Sequence, residues 1–162
     1  MMIHPAVAHF AISLPLISLV LGLIYLYKPT EFMSKVSTRF LAFAAIFIVG
    51  AFFTGKEDGM EVYKFLSGDG KSLLLQHKEY GLYLVISLPV IALIKIFGCK
   101  KEMFKVEVVA VVLLALVSAG IVYQGKIGGE LTYTYGAHVK DHSEGRACLA
   151  ENAMDDEDDE DE

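Results

Sequence analysis

Four stretches of this chain contain no Asp, Glu, Lys or Arg, and they constrain its fold more than any other feature. They cover residues 5–27, 40–54, 80–94 and 108–125. A helix needs about 20 apolar residues to cross a ~30 Å hydrocarbon layer. None of the stretches has the polar face of a soluble bundle helix. We therefore predict an all-α integral membrane four-helix bundle. Its spans are expected at about 5–27, 38–55, 78–97 and 106–125.

The acidic residues are concentrated at the end of the chain. Eight of the 20 lie in residues 155–162, which leaves 14 basic and 12 acidic side chains elsewhere. We predict a four-span domain over residues 1–139 and a disordered acidic tail over 140–162. There is no basic stripe, and an acidic tail repels nucleic acid. The predicted partner is therefore the lipid bilayer, together with a redox or membrane-protein partner, and not nucleic acid.

The connections between spans predict an orientation. Dense basic clusters flank the first and third connections and contain Lys28, Lys35, Arg39, Lys95, Lys100, Lys101 and Lys105. The opposite side also has seven basic residues, but they are spread over a longer loop and the tail. Short basic loops remain in the cytoplasm, so both termini are expected outside. Lys95 is expected to extend its charge outward from a helix end.

Repeated motifs predict a tandem duplication of a two-helix hairpin. A Ser-Leu-Pro motif ending at Pro15 recurs at Pro89, and a Gly-x-x-x-x-Gly-Lys motif ending at Lys56 recurs at Lys126. The offsets are 74 and 70 residues. Two such halves would be related by an axis along the membrane normal.

Two classes of function lack their motifs. A phosphate-binding loop follows a strand and has Ser or Thr after its lysine, whereas Glu57 and Ile127 follow the lysines here. We therefore expect no nucleotide. There is no Ser/His/Asp set and no His-Glu-x-x-His motif. A stand-alone enzyme is not expected, although a redox subunit is compatible with the sequence.

All the histidines fall on the predicted outer side. His9 lies about one turn inside the first span, and His77 opens the third. The repeat aligns His4 with His77 to within one residue. We predict His9 and His77 as the first-choice haem or metal ligands, with His4 in reserve. Interhelical packing is the alternative role.

Several other residues have weaker predicted roles. Tyr80 and Tyr135 are expected as hydrogen-bond donors around such a site. His138 and His142 are four residues apart, a weak metal signal for which a solvated tail is the better interpretation. Residues 128–136 alternate polar and apolar side chains, which predicts a short extended segment or cap.

Some of these residues resemble a known family. The helix 1 start His4-Pro5-x-x-x-His9-Phe10, a histidine opening helix 3 and a Gly-Gly-x-Leu-x-Tyr-x-Tyr-Gly ending over 128–136 are similar to uncharacterised bacterial four-helix membrane proteins, a domain of unknown function (DUF2231-like). The resemblance covers most of residues 1–139. It implies a bacterial inner-membrane location and no defined activity. Family members commonly have Val and Pro where this chain has Ala8 and Ala11.

Two functions are consistent with the sequence. The first is an electron-transfer module that binds haem b or a transition metal through histidines at the outer leaflet, an arrangement similar in outline to small b-type cytochromes. The alternative is a non-catalytic structural or partner-binding membrane module whose histidines serve packing. No identity is predicted for a substrate or for the redox partner, and no oligomeric state is predicted.

Overall fold

The computed structural model describes residues 3–137 and contains four long helices. They are α1 (His4–Tyr27), α2 (Glu31–Val62), α3 (Gly68–Lys100) and α4 (Phe104–Tyr133). All four are long and apolar enough to cross a membrane. The prediction of an all-α four-helix membrane bundle is therefore confirmed. The predictions for His138, His142 and the 140–162 tail lie outside the described residues.

The helices pack as an antiparallel square. Each of the four contacts its two neighbours, in the pairs α1/α2, α2/α3, α3/α4 and α1/α4. The short connections reverse the chain each time, so α1 and α3 run parallel across a diagonal. We call the end with connections 28–30 and 101–103 the turn end. The end with His4, connection 63–67 and the C-terminus of α4 is the terminal end.

Helix ends are set by local side-chain and backbone bonds. Thr30 and Ser67 cap α2 and α3, because their hydroxyl oxygens accept hydrogen bonds from the third following backbone N–H, each at 3.2 Å. After α4, Gly136 adopts a φ of +68° and the Ala137 N–H donates to the Leu131 carbonyl at 2.9 Å. Such a left-handed glycine closes the last helical turn.

The predicted extended segment over 128–136 is wrong up to Tyr133, because α4 continues through it. Ile127 and Leu131 are both buried. They are four residues apart, which places them on one helix face. They pack with Val62 and Leu66 in a small apolar cluster at the terminal end. Tyr133 is 90% exposed, so its ring faces away from the bundle interior.

The main core lies between the four helices and mixes large and small side chains. Leu41, Leu88 and Leu114 are at most 1% exposed, and Ala44 and Ala110 are completely buried. Small residues let membrane helices approach closely. Large apolar side chains on the outside are suited to lipid contact, among them Phe43, Ile46, Leu93 and Leu116.

The two hairpins share a register of 73 residues, which favours the predicted duplication. Tyr27 and Lys100 end α1 and α3, and Glu31 and Phe104 begin α2 and α4. Ten buried residues of the first hairpin have a buried residue 73 positions later. The pairs are Pro15/Leu88, Ser18/Ile91, Gly22/Lys95, Tyr25/Gly98, Ser34/Glu107, Ser37/Ala110, Thr38/Val111, Leu41/Leu114, Ala45/Ser118 and Ile48/Ile121.

This register differs from the offsets of 74 and 70 that the sequence motifs suggest. Pro15 corresponds to Leu88 and not to Pro89, so the two Ser-Leu-Pro motifs differ by one residue in register. One residue is a rotation of about 100° around a helix. Pro15 is accordingly buried, whereas Pro89 is only partly buried. The motif match therefore predicts an alignment of the two hairpins that differs from the one that burial favours.

Candidate functional site

Two histidines occupy corresponding positions at the terminal end. His4 of α1 lies against Gly55 of α2, where an added Cβ would be 2.6 Å from the His4 Cε1. His77 of α3 lies against Gly128 of α4, where an added Cβ would be 3.3 Å from the His77 Cε1. Both members of the second pair follow the first by 73 residues. Each hairpin therefore seats one imidazole on a glycine of its second helix.

The two imidazoles differ in their hydrogen bonding. The His4 Nδ1 lies 3.2 Å from the Thr54 hydroxyl oxygen. The His77 Nδ1 is buried, and residues 3–137 offer it no hydrogen-bond partner. The His77 carbonyl accepts a hydrogen bond from the Gln124 amide at 2.7 Å, which links α3 to α4.

His9, a first-choice ligand from the sequence, does not join His77. Its ring is exposed, and its Nδ1 lies 2.6 Å from the Pro5 carbonyl oxygen of its own helix. Residues five apart are separated by about 140° around a helix. Only one of His4 and His9 can therefore face the bundle interior, and the structure places His4 there. The structure therefore brings His4, the reserve residue, to the inner side of α1 and leaves His9 on the outer side.

The tyrosines predicted around this site lie apart from each other. Tyr80 is 38% exposed and makes an edge-to-face contact with Tyr123, with ring centroids 5.6 Å apart. Tyr135 covers Gly70 at the start of α3, where an added Cβ would be 3.0 Å from its ring. Tyr135 therefore packs at the terminal end, while Tyr80 faces outward with its neighbour.

The terminal end has few grouped metal-ligating side chains. Within residues 3–137, no group of three or more His, Cys, Asp or Glu side chains is placed to hold a metal ion. A structural metal site needs about four such ligands. Haem needs only one or two axial ligands from the protein.

A second polar cluster, at the turn end, was missed by the sequence analysis. Each helix contributes one side chain to it. The Glu107 carboxylate of α4 forms an ion pair with Lys95 of α3. It also accepts hydrogen bonds from the Tyr25 hydroxyl of α1 and the Ser34 hydroxyl of α2, both at 2.7 Å. All four helices are thus linked through one carboxylate.

The ion pair is fully enclosed. The Lys95 and Glu107 side chains are 1% and 2% exposed, and the Lys95 ammonium lies 4.3 Å from the centroid of the Tyr25 ring. The prediction that Lys95 extends outward is therefore wrong. The Glu107 carboxylate lies across the short turn from Lys95 and gives its ammonium a buried partner. The ammonium therefore does not need to extend to the lipid headgroups.

One sequence signal could have found this pair. Lys95 precedes the connection at 101–103 by about as many residues as Glu107 follows it. In a tight antiparallel hairpin, residues equally far from the turn face each other. Gly98 allows α3 to approach α4 closely at this point, since an added Cβ there would be 2.8 Å from the Glu107 Cγ.

An open cavity of about 750 Å³ lies over this cluster. Glu107, Tyr25 and Ser34 belong to its lining. The other lining residues are Pro29, Thr30, Glu31, Lys35, Thr38, Arg39, Ile96, Cys99, Lys100, Glu102 and Phe104. The cavity is large enough for a small molecule or a lipid headgroup. Its wall is mixed, with charged groups at the mouth and hydroxyl groups below.

The four long apolar helices define the class of this protein, a multi-pass helical membrane protein. A family of predicted membrane proteins, DUF2231, matches residues 1–141. The chain belongs to this family, which confirms the resemblance seen in the sequence. No curated protein and no solved structure matches it significantly.

Proposed function

We propose that this protein is a membrane-bound electron-transfer module that holds haem b, or a transition metal, between His4 and His77. The observation that supports the proposal is the corresponding placement of the two imidazoles on Gly55 and Gly128. A duplicated hairpin offers one ligand from each half, and a flat macrocycle with two axial imidazoles uses such a pair.

The residues at the terminal end fit such a group. The His77 Nδ1 is buried without a hydrogen-bond partner among the described residues. Burying a polar nitrogen is unfavourable unless something binds it. Ligation requires neutral imidazole, which a partly buried site favours. Gly55 and Gly128 leave room for the rings to lie close to the backbone.

When bound, haem or a redox metal would supply reversible one-electron transfer. The chain itself would hold and orient the group through His4 and His77, which belong to different hairpins. Gln124 supports α3 at the His77 carbonyl. The apolar cluster around Val62 and Leu131 would limit the access of water from the terminal end.

A packing role is the second candidate function. The contact between the His4 Nδ1 and the Thr54 hydroxyl joins α1 to α2. Interhelical hydrogen bonds of this kind hold membrane bundles together without any cofactor. In this alternative, the protein is a structural or partner-binding module. Substitution of His4 would then lower the stability of the bundle and leave the visible absorption spectrum unchanged.

The proposal includes an orientation in the inner membrane of a bacterium, with the turn end in the cytoplasm and both termini outside. The turn end has seven basic and three acidic side chains, a net charge of +4. The terminal end within residues 3–137 has five basic and six acidic side chains, a net charge of −1. The positive-inside rule counts Lys and Arg in short connections, and the seven at the turn end lie in or beside two such connections, which favours this placement.

The visible spectrum of the purified protein tests the proposal. The full chain is expressed with a haem precursor and transition metals supplied, then solubilised in detergent. We expect a Soret band, and sharpened α and β bands after reduction, with about one haem per chain. If a metal is bound instead, elemental analysis will detect it. A colourless, metal-free protein would favour the packing module.

A further inference from the structure

We propose that the turn-end cavity binds the phosphate group of an anionic membrane lipid, through Arg39 and Lys100. This inference is independent of the proposed haem or metal site, which lies at the opposite end of the bundle. It rests on the cavity, on the charges that line it and on its depth along the helices.

The floor of the cavity does not repel an anion. Glu107 is its deepest acidic group, but Lys95 forms an ion pair with it and two hydroxyl groups donate to it. The charge of this carboxylate is therefore matched inside the protein. Ser34 and Thr38, one turn apart on α2, also line the cavity and provide a polar wall.

The mouth of the cavity is weighted toward positive charge. Glu31 is paired with Lys35 on the surface of α2. Arg39 and Lys100 are both exposed lining residues, and Glu102 is the remaining acidic one. The turn end as a whole has a net charge of +4. Basic pockets between transmembrane helices are suited to anionic headgroups, and the planar guanidinium suits a phosphate.

The two cations lie at the depth of lipid headgroups. The charge-free stretch of α2 begins at residue 40, directly after Arg39. Lys100 ends α3, a few residues beyond its charge-free stretch. A phosphate held between them would leave its acyl chains beside exposed apolar side chains such as Phe104 and Phe97. This placement favours a lipid over a soluble phosphate compound.

Thermal unfolding of the full chain in detergent, with increasing amounts of phosphatidylglycerol or phosphatidylcholine, tests the proposal. The test variant is Arg39→Gln with Lys100→Gln. Its control is Lys78→Gln with Lys126→Gln, which removes two exposed cations from the terminal end. Each basic side chain near a membrane surface contributes about fivefold in lipid affinity. We expect the test variant to bind phosphatidylglycerol roughly tenfold to thirtyfold more weakly, and the control to change it less than about twofold.

A third variant reverses the sign of the effect. Glu102→Gln removes the unmatched acidic group at the mouth and should tighten phosphatidylglycerol binding. Unfolding in phosphatidylcholine alone checks that every variant is folded. Equal affinities for the two lipids, or equal losses in the two double variants, would overturn the proposal. Stabilisation by inorganic phosphate to the same extent would overturn the lipid assignment and indicate a soluble phosphate ligand.

Discussion

The Glu107 carboxylate accepts hydrogen bonds from α1 and α2 and forms an ion pair with α3. One side chain of α4 therefore links all four helices at the turn end. A buried charge without a partner is strongly unfavourable, and more so where the surroundings exclude water. Glu107 and Lys95 are therefore stable only together. The cation–π contact of Lys95 with the Tyr25 ring adds a further favourable interaction for the ammonium.

Removal of one member of the pair should destabilise the bundle strongly. We expect Glu107→Leu to lower the free energy of unfolding by about 3–5 kcal/mol, because it leaves the Lys95 ammonium buried and unpaired. The double variant with Lys95→Met should be more stable than Glu107→Leu alone, since both charges are then absent. Denaturant unfolding in detergent measures these differences.

The exposed ion pair of Glu31 and Lys35 is the matched control. Its side chains are 76% and 53% exposed. Surface pairs contribute about 0–1 kcal/mol, so Lys35→Met should change stability little. An effect of Glu107→Leu as small as that of Lys35→Met would contradict the description of the buried pair as a structural link.

Lys95 and Glu107 show which features of single residues can be predicted from the sequence. The apolar stretches ended before Lys95 and began after Glu107, which placed both charges at helix ends. Which direction a side chain takes at a helix end depends on what lies across the turn. His4 and His9 present the same difficulty, since their five-residue spacing leaves open which one faces inward until the neighbouring helix is known.

At the scale of helices, close approach depends on particular glycines. At Gly98, an added Cβ would be 2.8 Å from the Glu107 Cγ and 3.2 Å from the Glu107 backbone nitrogen. A backbone atom cannot move aside as a flexible side chain can. Gly98→Ala should therefore separate α3 from α4 and lower stability by about 1–3 kcal/mol, as overpacking does. Thermal or denaturant unfolding in detergent provides the measurement.

Gly129 is the control for this substitution. An added Cβ there meets nothing within 4 Å among the described residues. Alanine is favoured over glycine in a helix by about 1 kcal/mol, so Gly129→Ala should be neutral or stabilising. If Gly98→Ala were tolerated as well as Gly129→Ala, the close contact between α3 and α4 at Gly98 would be contradicted.

The helices themselves could be predicted from their apolar length, and the pairing of α1 with α2 and of α3 with α4 follows from short connections. The register between the halves could not. The repeated motifs around Pro15 and Lys56 gave two different offsets. Proline kinks and glycine contacts recur in membrane helices whether or not the helices are homologous. Burial gave a single offset of 73, since corresponding positions face the same interior.

At the scale of the whole molecule, charge asymmetry predicts the orientation. In cells that express the full chain, Cys148 should react with a membrane-impermeant maleimide added outside. In a Cys99→Ser, Cys148→Ser background, Lys101→Cys at the exposed turn should react only after the membrane is opened. Labelling of the turn in intact cells, with Cys148 protected, would show the opposite orientation.

The most direct test of the proposed function compares three histidine variants in one spectrum. The reduced-minus-oxidised difference spectrum is measured for the wild type and for His4→Ala, His77→Ala and His9→Ala, each expressed with the haem precursor and normalised to folded protein. We expect the wild type and His9→Ala to show equal haem bands, because His9 faces outward from α1. His4→Ala and His77→Ala should each lose or shift these bands. Bands that survive both of these substitutions, or that disappear only in His9→Ala, would contradict a cofactor held between His4 and His77.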